Sequence, residues 1–201
     1  MKQLIEKALA TSYSYQEYRD LIKLLVQAGK TTGPVQSESF VAYTKLNAAR
    51  MKRWDKTYNP TLNVQRVASE RNKSETWLVL TEAWCGDAAH NVPILARIAA
   101  LQPKINFRLA LRDENIELMD HFLTGNGRSI PKLLLLDEEL NVIDTWGPRP
   151  AILQERVLAE KQHPTMPKEA FNKWMHGWYY QNKGKAVENE LVELMQPAFA
   201  K

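Results

Sequence analysis

The 201-residue sequence contains a single cysteine, Cys85, and no long uncharged apolar segment. One cysteine cannot form a disulfide within the chain, and it cannot supply a zinc site built from several cysteines. No stretch approaches the roughly 18 apolar residues of a membrane span. Glu6 and Lys7 interrupt the start of the chain, where a signal peptide needs an apolar run. We therefore expect a soluble, cytoplasmic protein with no membrane association and no disulfide framework.

Charge is unevenly distributed, although the formal net charge of the whole chain is only +4. Residues 1–73 carry a net charge of +7, residues 74–147 a net charge of −5, and residues 148–201 a net charge of +2. The basic region includes a cluster of Lys45, Arg50, Lys52, Arg53 and Lys56, interleaved with Tyr43, Trp54 and Tyr58. Such clusters can bind nucleic acid through phosphate contacts and stacking, but no nucleic-acid motif accompanies this one. We interpret it as a helix that packs its aromatic side on the acidic middle region, and we expect no nucleic-acid partner.

Hydrophobic periodicity predicts helices at both ends of the chain and an alternation of strands and helices in the middle. The predicted helices are 14–29, 38–56, 86–101, 115–123, 150–162, 168–182 and 186–196, and the predicted strands are 77–80, 105–109, 133–136 and 140–146. Residues 59–74 are polar and irregular, and we interpret them as a connection. The middle region has the order β-α-β-α-β-β-α, which is typical of an α/β layer domain with a mixed sheet.

Cys85 lies between a predicted buried strand and a predicted helix. A helix N-terminus offers free N–H groups and a partial positive charge, both of which favour a thiolate. Asp87 acts in the opposite direction, because a nearby carboxylate raises the pKa of a thiol. The alternative is that Cys85 is a small buried hydrophobic residue, as free cysteines commonly are. Its position alone leaves both interpretations open.

The segment from Trp84 to Ala88, WCGDA, resembles the WCGPC active-site motif of the thioredoxin family. Pro93 corresponds to the proline that kinks the active-site helix of that family, and Ser129-Ile130-Pro131 resembles its cis-proline segment before the third core strand. Gly147 matches a glycine after the next strand. These matches identify the chain as a member of the thioredoxin-like superfamily.

The resemblance covers residues 74–163 and implies an α/β thioredoxin-like fold, with a central mixed four-stranded sheet flanked by helices. Residues 1–73 would then form an N-terminal helical arm. Residues 164–201 would form a C-terminal helical extension packed on the core. This extension carries an apolar helix stripe of Phe171, Trp174, Met175, Trp178 and Tyr179. We expect the stripe to cover the core or the arm, with a dimer interface or peptide groove as the other interpretation.

The resemblance also implies roles for individual residues. Cys85 would be the catalytic nucleophile, Trp84 would shape the rim of the site, and Gly86 would allow close approach of a substrate. Pro131 would be preceded by a cis peptide bond, and Ile130 would offer its backbone N–H and C=O to an extended substrate. Asp87 and Ala88 complete the motif.

Two departures from the family pattern bear on function. Ala88 replaces the second cysteine of the family, so no other thiol in the chain can resolve a mixed disulfide formed by Cys85. Val79 occupies the position of the family's buried aspartate, which leaves Glu82 as the candidate for proton transfer. His90 lies about 140° around the helix from Cys85, and we interpret it as a solvated helix histidine. The other histidines are scattered and lack metal-ligand spacing, so we expect no metal.

The primary hypothesis is a monothiol thioredoxin-like protein. Cys85 would form mixed disulfides with protein or low-molecular-weight thiols such as glutathione, and an external thiol would resolve them. The alternative is a redox-inactive thioredoxin-fold module that binds an extended peptide or a protein. Whether the chain is an enzyme stays open between these two. No bound cofactor is expected beyond glutathione or a similar thiol as co-substrate, and the sequence is compatible with a monomer or a homodimer.

Overall fold

A computed structural model of the protein describes residues 1–196, in which helices precede, separate and follow the strands of one sheet. The helices are α1 (Lys2–Ala10), α2 (Tyr15–Gln27), α3 (Glu38–Thr57), α4 (Leu62–Glu70), α5 (Gly86–Ala99), α6 (Ile116–Met119), α7 (Ala151–Gln162), α8 (Lys168–Asn182) and α9 (Lys185–Met195). The strands are β1 (Glu75–Thr81), β2 (Ile105–Leu111), β3 (Lys132–Leu136) and β4 (Val142–Trp146). Within this part of the chain, no helix combines the length and the apolar character that a membrane crossing requires.

The four strands form a mixed sheet in the order β2-β1-β3-β4. β1 and β2 are parallel and are joined through α5, whereas β3 is antiparallel to β1 and β4 is antiparallel to β3. At the centre of the sheet, Val79 lies between Leu109 on β2 and Leu133 on β3, and all three are fully buried. Near-continuous apolar runs form the central strands because both faces of the sheet are covered. The predicted thioredoxin-like α/β fold is confirmed.

The N-terminal region contains both confirmed and missed elements. Ser14 forms a capping box with Glu17 at the start of α2, and the Ser37 hydroxyl accepts the backbone N–H of Phe40 at the start of α3. The interpretation of residues 59–74 as an irregular connection is wrong, because residues 62–70 form α4 with Thr61 as its N-cap. Helix α1 has no counterpart among the predicted helices.

One hydrophobic core runs through all parts of the described chain. It includes Ile5 of α1, Trp77 of β1, Tyr179 of α8 and Leu191 of α9, each at most 2% exposed. Division into an arm of 1–73, a core of 74–163 and an extension of 164–201 stays a prediction. The last five residues of that extension lie outside the described residues.

Helix α5 positions the candidate site, because it lies between the sheet and the helices of both ends of the chain. Every residue of α5 except Gly86 and Arg97 is buried. A helix that is buried on all sides has no solvated face. His90 on its outer side therefore contacts Trp54 of α3 and His176 of α8.

Candidate active site

Cys85 lies directly before α5 and acts as its N-cap. Its Sγ accepts the backbone N–H of Ala88 at 3.5 Å, and its thiol donates to the carbonyl oxygen of Ile130 at 3.2 Å. The Ile130–Pro131 peptide bond is cis, and Ile130 is only 4% exposed. The fold thus brings together residues that are 45 positions apart in the sequence and that the family resemblance assigned to one site.

The two residues that flank Cys85 are covered by other parts of the chain. Trp84 stacks on Phe40 of α3, with ring centroids 4.7 Å apart. A Cβ atom built on Gly86 would lie 2.7 Å from Cε1 of His176 and 3.6 Å from Nη1 of Arg50, so both side chains lie directly against this glycine. We call Phe40 and Arg50 of α3 and His176 of α8 the active-site cover. The space that the sequence analysis assigned to a substrate beside Gly86 is filled by the cover.

The buried carboxylate of Asp87 is held by two groups that the sequence analysis did not identify. It forms an ion pair with the Arg149 guanidinium and accepts a hydrogen bond from the Tyr179 hydroxyl at 2.8 Å. Asn91 donates to the same hydroxyl at 3.2 Å, which ties α8 to α5. The signal in the sequence was indirect: a buried carboxylate requires a counter-charge, but nothing in the pattern singled out Arg149.

The thiol of Cys85 is protonated in this arrangement. Burial raises its pKa to about 12, and the neighbouring carboxylate of Asp87 acts in the same direction. The N–H groups at the start of α5 favour the thiolate but do not outweigh burial. The sequence position of Cys85 left two interpretations open, a reactive thiolate and a small buried residue. The buried and protonated thiol of this structure favours the second.

Glu82 precedes Cys85 in the loop after β1 and is only 1% exposed. Its Oε1 accepts the backbone N–H of Asp113 at 2.9 Å, and burial raises the pKa of its carboxyl to about 7. Within the described residues, no hydrogen bond joins this carboxyl to Sγ of Cys85. A carboxyl with this pKa can exchange a proton near neutral pH, but its role in proton transfer to Cys85 stays a prediction.

The interpretation of His90 as a solvated histidine is wrong. Its Nδ1 accepts a hydrogen bond from Nε1–H of Trp54 at 3.0 Å, its Nε2 lies 3.1 Å from Nδ1 of His176, and its ring stacks on Tyr179. Burial, followed by the second histidine, lowers the pKa of His90 to about 2, and burial lowers that of His176 to about 4. The interpretation of the other histidines as scattered is wrong for His176, because the fold places His176 in contact with His90.

Metal binding has no support from these histidines. Residues 1–196 contain no cluster of three or more His, Cys, Asp or Glu side chains suited to a metal ion. The His90–His176 pair is a direct contact between two neutral rings.

Aromatic residues within the basic cluster and the C-terminal stripe serve mainly in packing. Trp54 and Tyr58 are buried between α3 and the core, and the Arg53 guanidinium lies 4.0 Å from the ring centroid of Tyr180. Phe171 and Tyr179 of the stripe belong to the core, as expected, whereas Trp174 remains 37% exposed. Of the aromatic residues interleaved with the basic cluster, Tyr43 is 41% exposed, but Trp54 and Tyr58 are buried, so the three do not form an open stacking platform together.

Comparison with known proteins agrees with the geometry. A family model described as thioredoxin matches residues 33–165, which is more than half of the chain. The match begins within the N-terminal arm and therefore includes α3, although the motifs start only near residue 74. No curated protein matched the chain.

Two solved structures resemble the chain over nearly their whole lengths. The crystal structure of a protein of unknown function from Pseudomonas aeruginosa is 19% identical, with a TM-score of 0.55, and the match covers 91% of this chain and 97% of that chain. The crystal structure of an HIV epitope-scaffold is 16% identical, with a TM-score of 0.54, and the match covers 92% of this chain and 100% of that chain. At these identities the likeness concerns the fold alone.

Proposed function

Because the chain belongs to the thioredoxin family, we propose that it is a monothiol thioredoxin whose Cys85 forms mixed disulfides after the active-site cover has opened. The observation that carries the proposal is the placement of the single thiol. Sγ of Cys85 lies at the start of α5 and 3.2 Å from the carbonyl of Ile130, beside Pro131. In the family resemblance, this is where the nucleophile meets the backbone of its substrate.

The proposed reaction is thiol–disulfide exchange in two steps. The Cys85 thiolate attacks a disulfide of a protein or of oxidised glutathione, an S–S bond forms to Cys85, and the displaced sulfur leaves as a thiolate that takes up a proton. A second thiol from solution then attacks the mixed disulfide and releases Cys85, because Ala88 cannot supply an internal resolving thiol. No net oxidation of Cys85 remains after both steps.

Opening of the cover is part of the proposal because the closed site suppresses the thiolate. With a pKa of about 12, only about one thiol in a hundred thousand is ionised at pH 7. Exposure to water returns the pKa of a cysteine toward its ordinary value of about 8.5, which raises the thiolate fraction by roughly three orders of magnitude. Displacement of α8 removes His176 from Gly86 and opens the side of the site that the cover now fills.

Intact-mass analysis during incubation with glutathione disulfide tests this function. We expect slow addition of one glutathione to the wild-type chain and none to Cys85→Ser. His176→Ala should react about fivefold faster, since it removes one contact worth about 1 kcal/mol between α8 and α5. His163→Ala, at the exposed end of α7, is the matched control and should react like the wild type.

The second candidate is the redox-inactive binding module, and the buried, protonated thiol of Cys85 is the observation that favours it. The same incubation separates the two functions. Absence of an adduct from both the wild type and His176→Ala, with full reaction of the chain unfolded in urea, would reject the monothiol function and leave the binding module. In that case, Cys85→Ser should retain every interaction of the wild type with a protein partner.

A further inference from the structure

A second concave site lies on the opposite half of α5 from Cys85. It is a cleft of about 920 Å³ between α2, α3, the C-terminal half of α5 and the start of β2. Of the residues that the family resemblance singled out, Pro93 of the active-site helix lines the cleft, whereas Trp84 to Ala88, Ile130 and Pro131 do not. Its volume lies in the range of clefts that bind small molecules, which is about 300–1,000 Å³.

The floor of the cleft is apolar. It is formed by Ile22, Val26, Trp54, Pro93, Ile105 and Phe107. Ile22, Trp54, Pro93 and Ile105 are already buried at the base of the cleft, whereas Val26 and Phe107 are half-buried and remain accessible to water. A ligand with an apolar body would remove the remaining apolar surface of Val26 and Phe107 from water, at roughly 25 cal/mol for each Å² buried.

The rim of the cleft carries four cations and two carboxylates, and only one of the two carboxylates is paired with a cation. Asp55 forms an ion pair with Arg19 at 3.3 Å and accepts the Tyr15 hydroxyl at 2.5 Å. Asp20 accepts the side-chain amide of Gln16 at 3.1 Å.

Three cations at the same rim have no carboxylate partner. Lys23, Lys52 and Arg97 are exposed, and none of them takes part in an ion pair within residues 1–196. The potential over the cleft is therefore positive, and it favours a ligand with a negative group at one end. The C-terminal end of α5, at Ala99 and Ala100, also lines the cleft and contributes a partial negative charge. A single negative charge is consequently better accommodated than the double charge of a phosphate.

We propose that this cleft binds a small amphipathic carboxylate of the fatty-acid type, with its apolar chain on the floor and its carboxylate at the cationic rim. The proposal stands apart from the redox chemistry of Cys85, because the two sites share no residue. Its ligand chemistry follows from the combination of an apolar floor and unpaired cations.

Isothermal titration calorimetry of the full chain tests the proposal with three probes that share a ten-carbon chain. These are decanoate and decyltrimethylammonium, each below its micelle concentration, and decanol below its solubility limit. We expect saturable one-site binding of decanoate, and binding of the other two that is weaker by about fivefold or more, which is the scale of exposed charge interactions. Equal binding of all three, or no saturable binding of decanoate, would overturn the proposal.

Variants of α3 locate the site. Lys52→Glu should weaken decanoate binding by about fivefold, whereas Lys45→Glu makes the same change of net charge outside the cleft and should leave the affinity unchanged. Ala49→Trp places a large ring from an exposed position of the lining into the cleft and should abolish binding without touching the core. Equal effects of Lys52→Glu and Lys45→Glu, or unchanged binding by Ala49→Trp, would show that decanoate binds elsewhere and would refute the assignment.

Discussion

Replacement of Glu82 by glutamine should remove a pH-dependent cost that its buried carboxylate imposes on the fold. Glu82 is almost fully buried, and burial raises the pKa of its carboxyl from 4.5 to about 7. Between these two pH values the folded protein retains a proton that the unfolded chain has lost. The stability contributed by this group is therefore complete below pH 4.5 and decreases as the pH rises to 7.

The magnitude follows from the size of the shift. Two and a half pH units, at about 1.4 kcal/mol for each unit, correspond to about 3–4 kcal/mol of unfolding free energy. Glutamine is nearly isosteric, carries no charge, and its oxygen can still accept the N–H of Asp113. The unfolding free energy of Glu82→Gln relative to the wild type should therefore increase by about this amount from pH 4.5 to pH 7, and then remain constant.

Urea denaturation followed by tryptophan fluorescence, at pH values from 4 to 8, measures this difference. The comparison with the wild type matters because His90 and His176 act in the opposite sense. Their pKa values are lowered in the fold, so their contribution to stability grows as the pH rises toward 6.5. Glu139→Gln, in the exposed turn after β3, is the matched control. A difference between Glu82→Gln and the wild type that does not change with pH would refute the reasoning.

Three further substitutions test other parts of the structure. Ala88→Cys should form an internal disulfide with Cys85, and the reduced variant should reduce the disulfides of insulin. If the variant forms this disulfide but shows no reductase activity, more than the resolving thiol is missing from the site. Asp87→Asn leaves the Arg149 guanidinium buried without its counter-charge, and urea denaturation should show a loss of about 3–5 kcal/mol, whereas a loss below about 1 kcal/mol would contradict a buried pair. Ser14→Ala removes the capping box of α2 and should cost about 1 kcal/mol in the same assay; an unchanged midpoint would exclude a stabilising cap.

Elements with strong local signals could be predicted from the sequence. The capping residues Ser14 and Ser37 fix the starts of α2 and α3, and the apolar runs around Val79 and Leu134 mark the two central strands. These signals depend on residues close together in the chain. The placement of Cys85 before a helix was predictable for the same reason.

Helix α4 was missed because its own sequence gives only a weak signal. Val64, Val67 and Ala68 follow helical spacing after the cap Thr61, but the segment is short and otherwise polar. Short isolated helices are marginal in water, and this one is held by its packing against α5 and α9. Such support comes from residues distant in the sequence, which a local pattern does not contain.

The covered state of the site was missed for a related reason. His90 lies away from Cys85 around α5, as its spacing predicts, but this direction does not lead to solvent. Helix α5 is buried on its outer side as well as on the side that faces the sheet. Trp54, His176 and Tyr179 from the two ends of the chain cover its other side. Sequence periodicity identifies an apolar stripe but does not say which helix a distant stripe will pack on.

The lone thiol beneath the cover makes local opening of the protein measurable by thiol labelling. Because the chain has one cysteine, every thiol-directed label reports on a single place, with no second site to confuse the signal. When opening and closing are fast relative to labelling, the labelling rate divided by that of an exposed thiol equals the fraction of open molecules, and each tenfold slowing corresponds to about 1.4 kcal/mol of opening free energy. Labelling in the presence of decanoate would then measure how strongly the cleft and the cover influence each other.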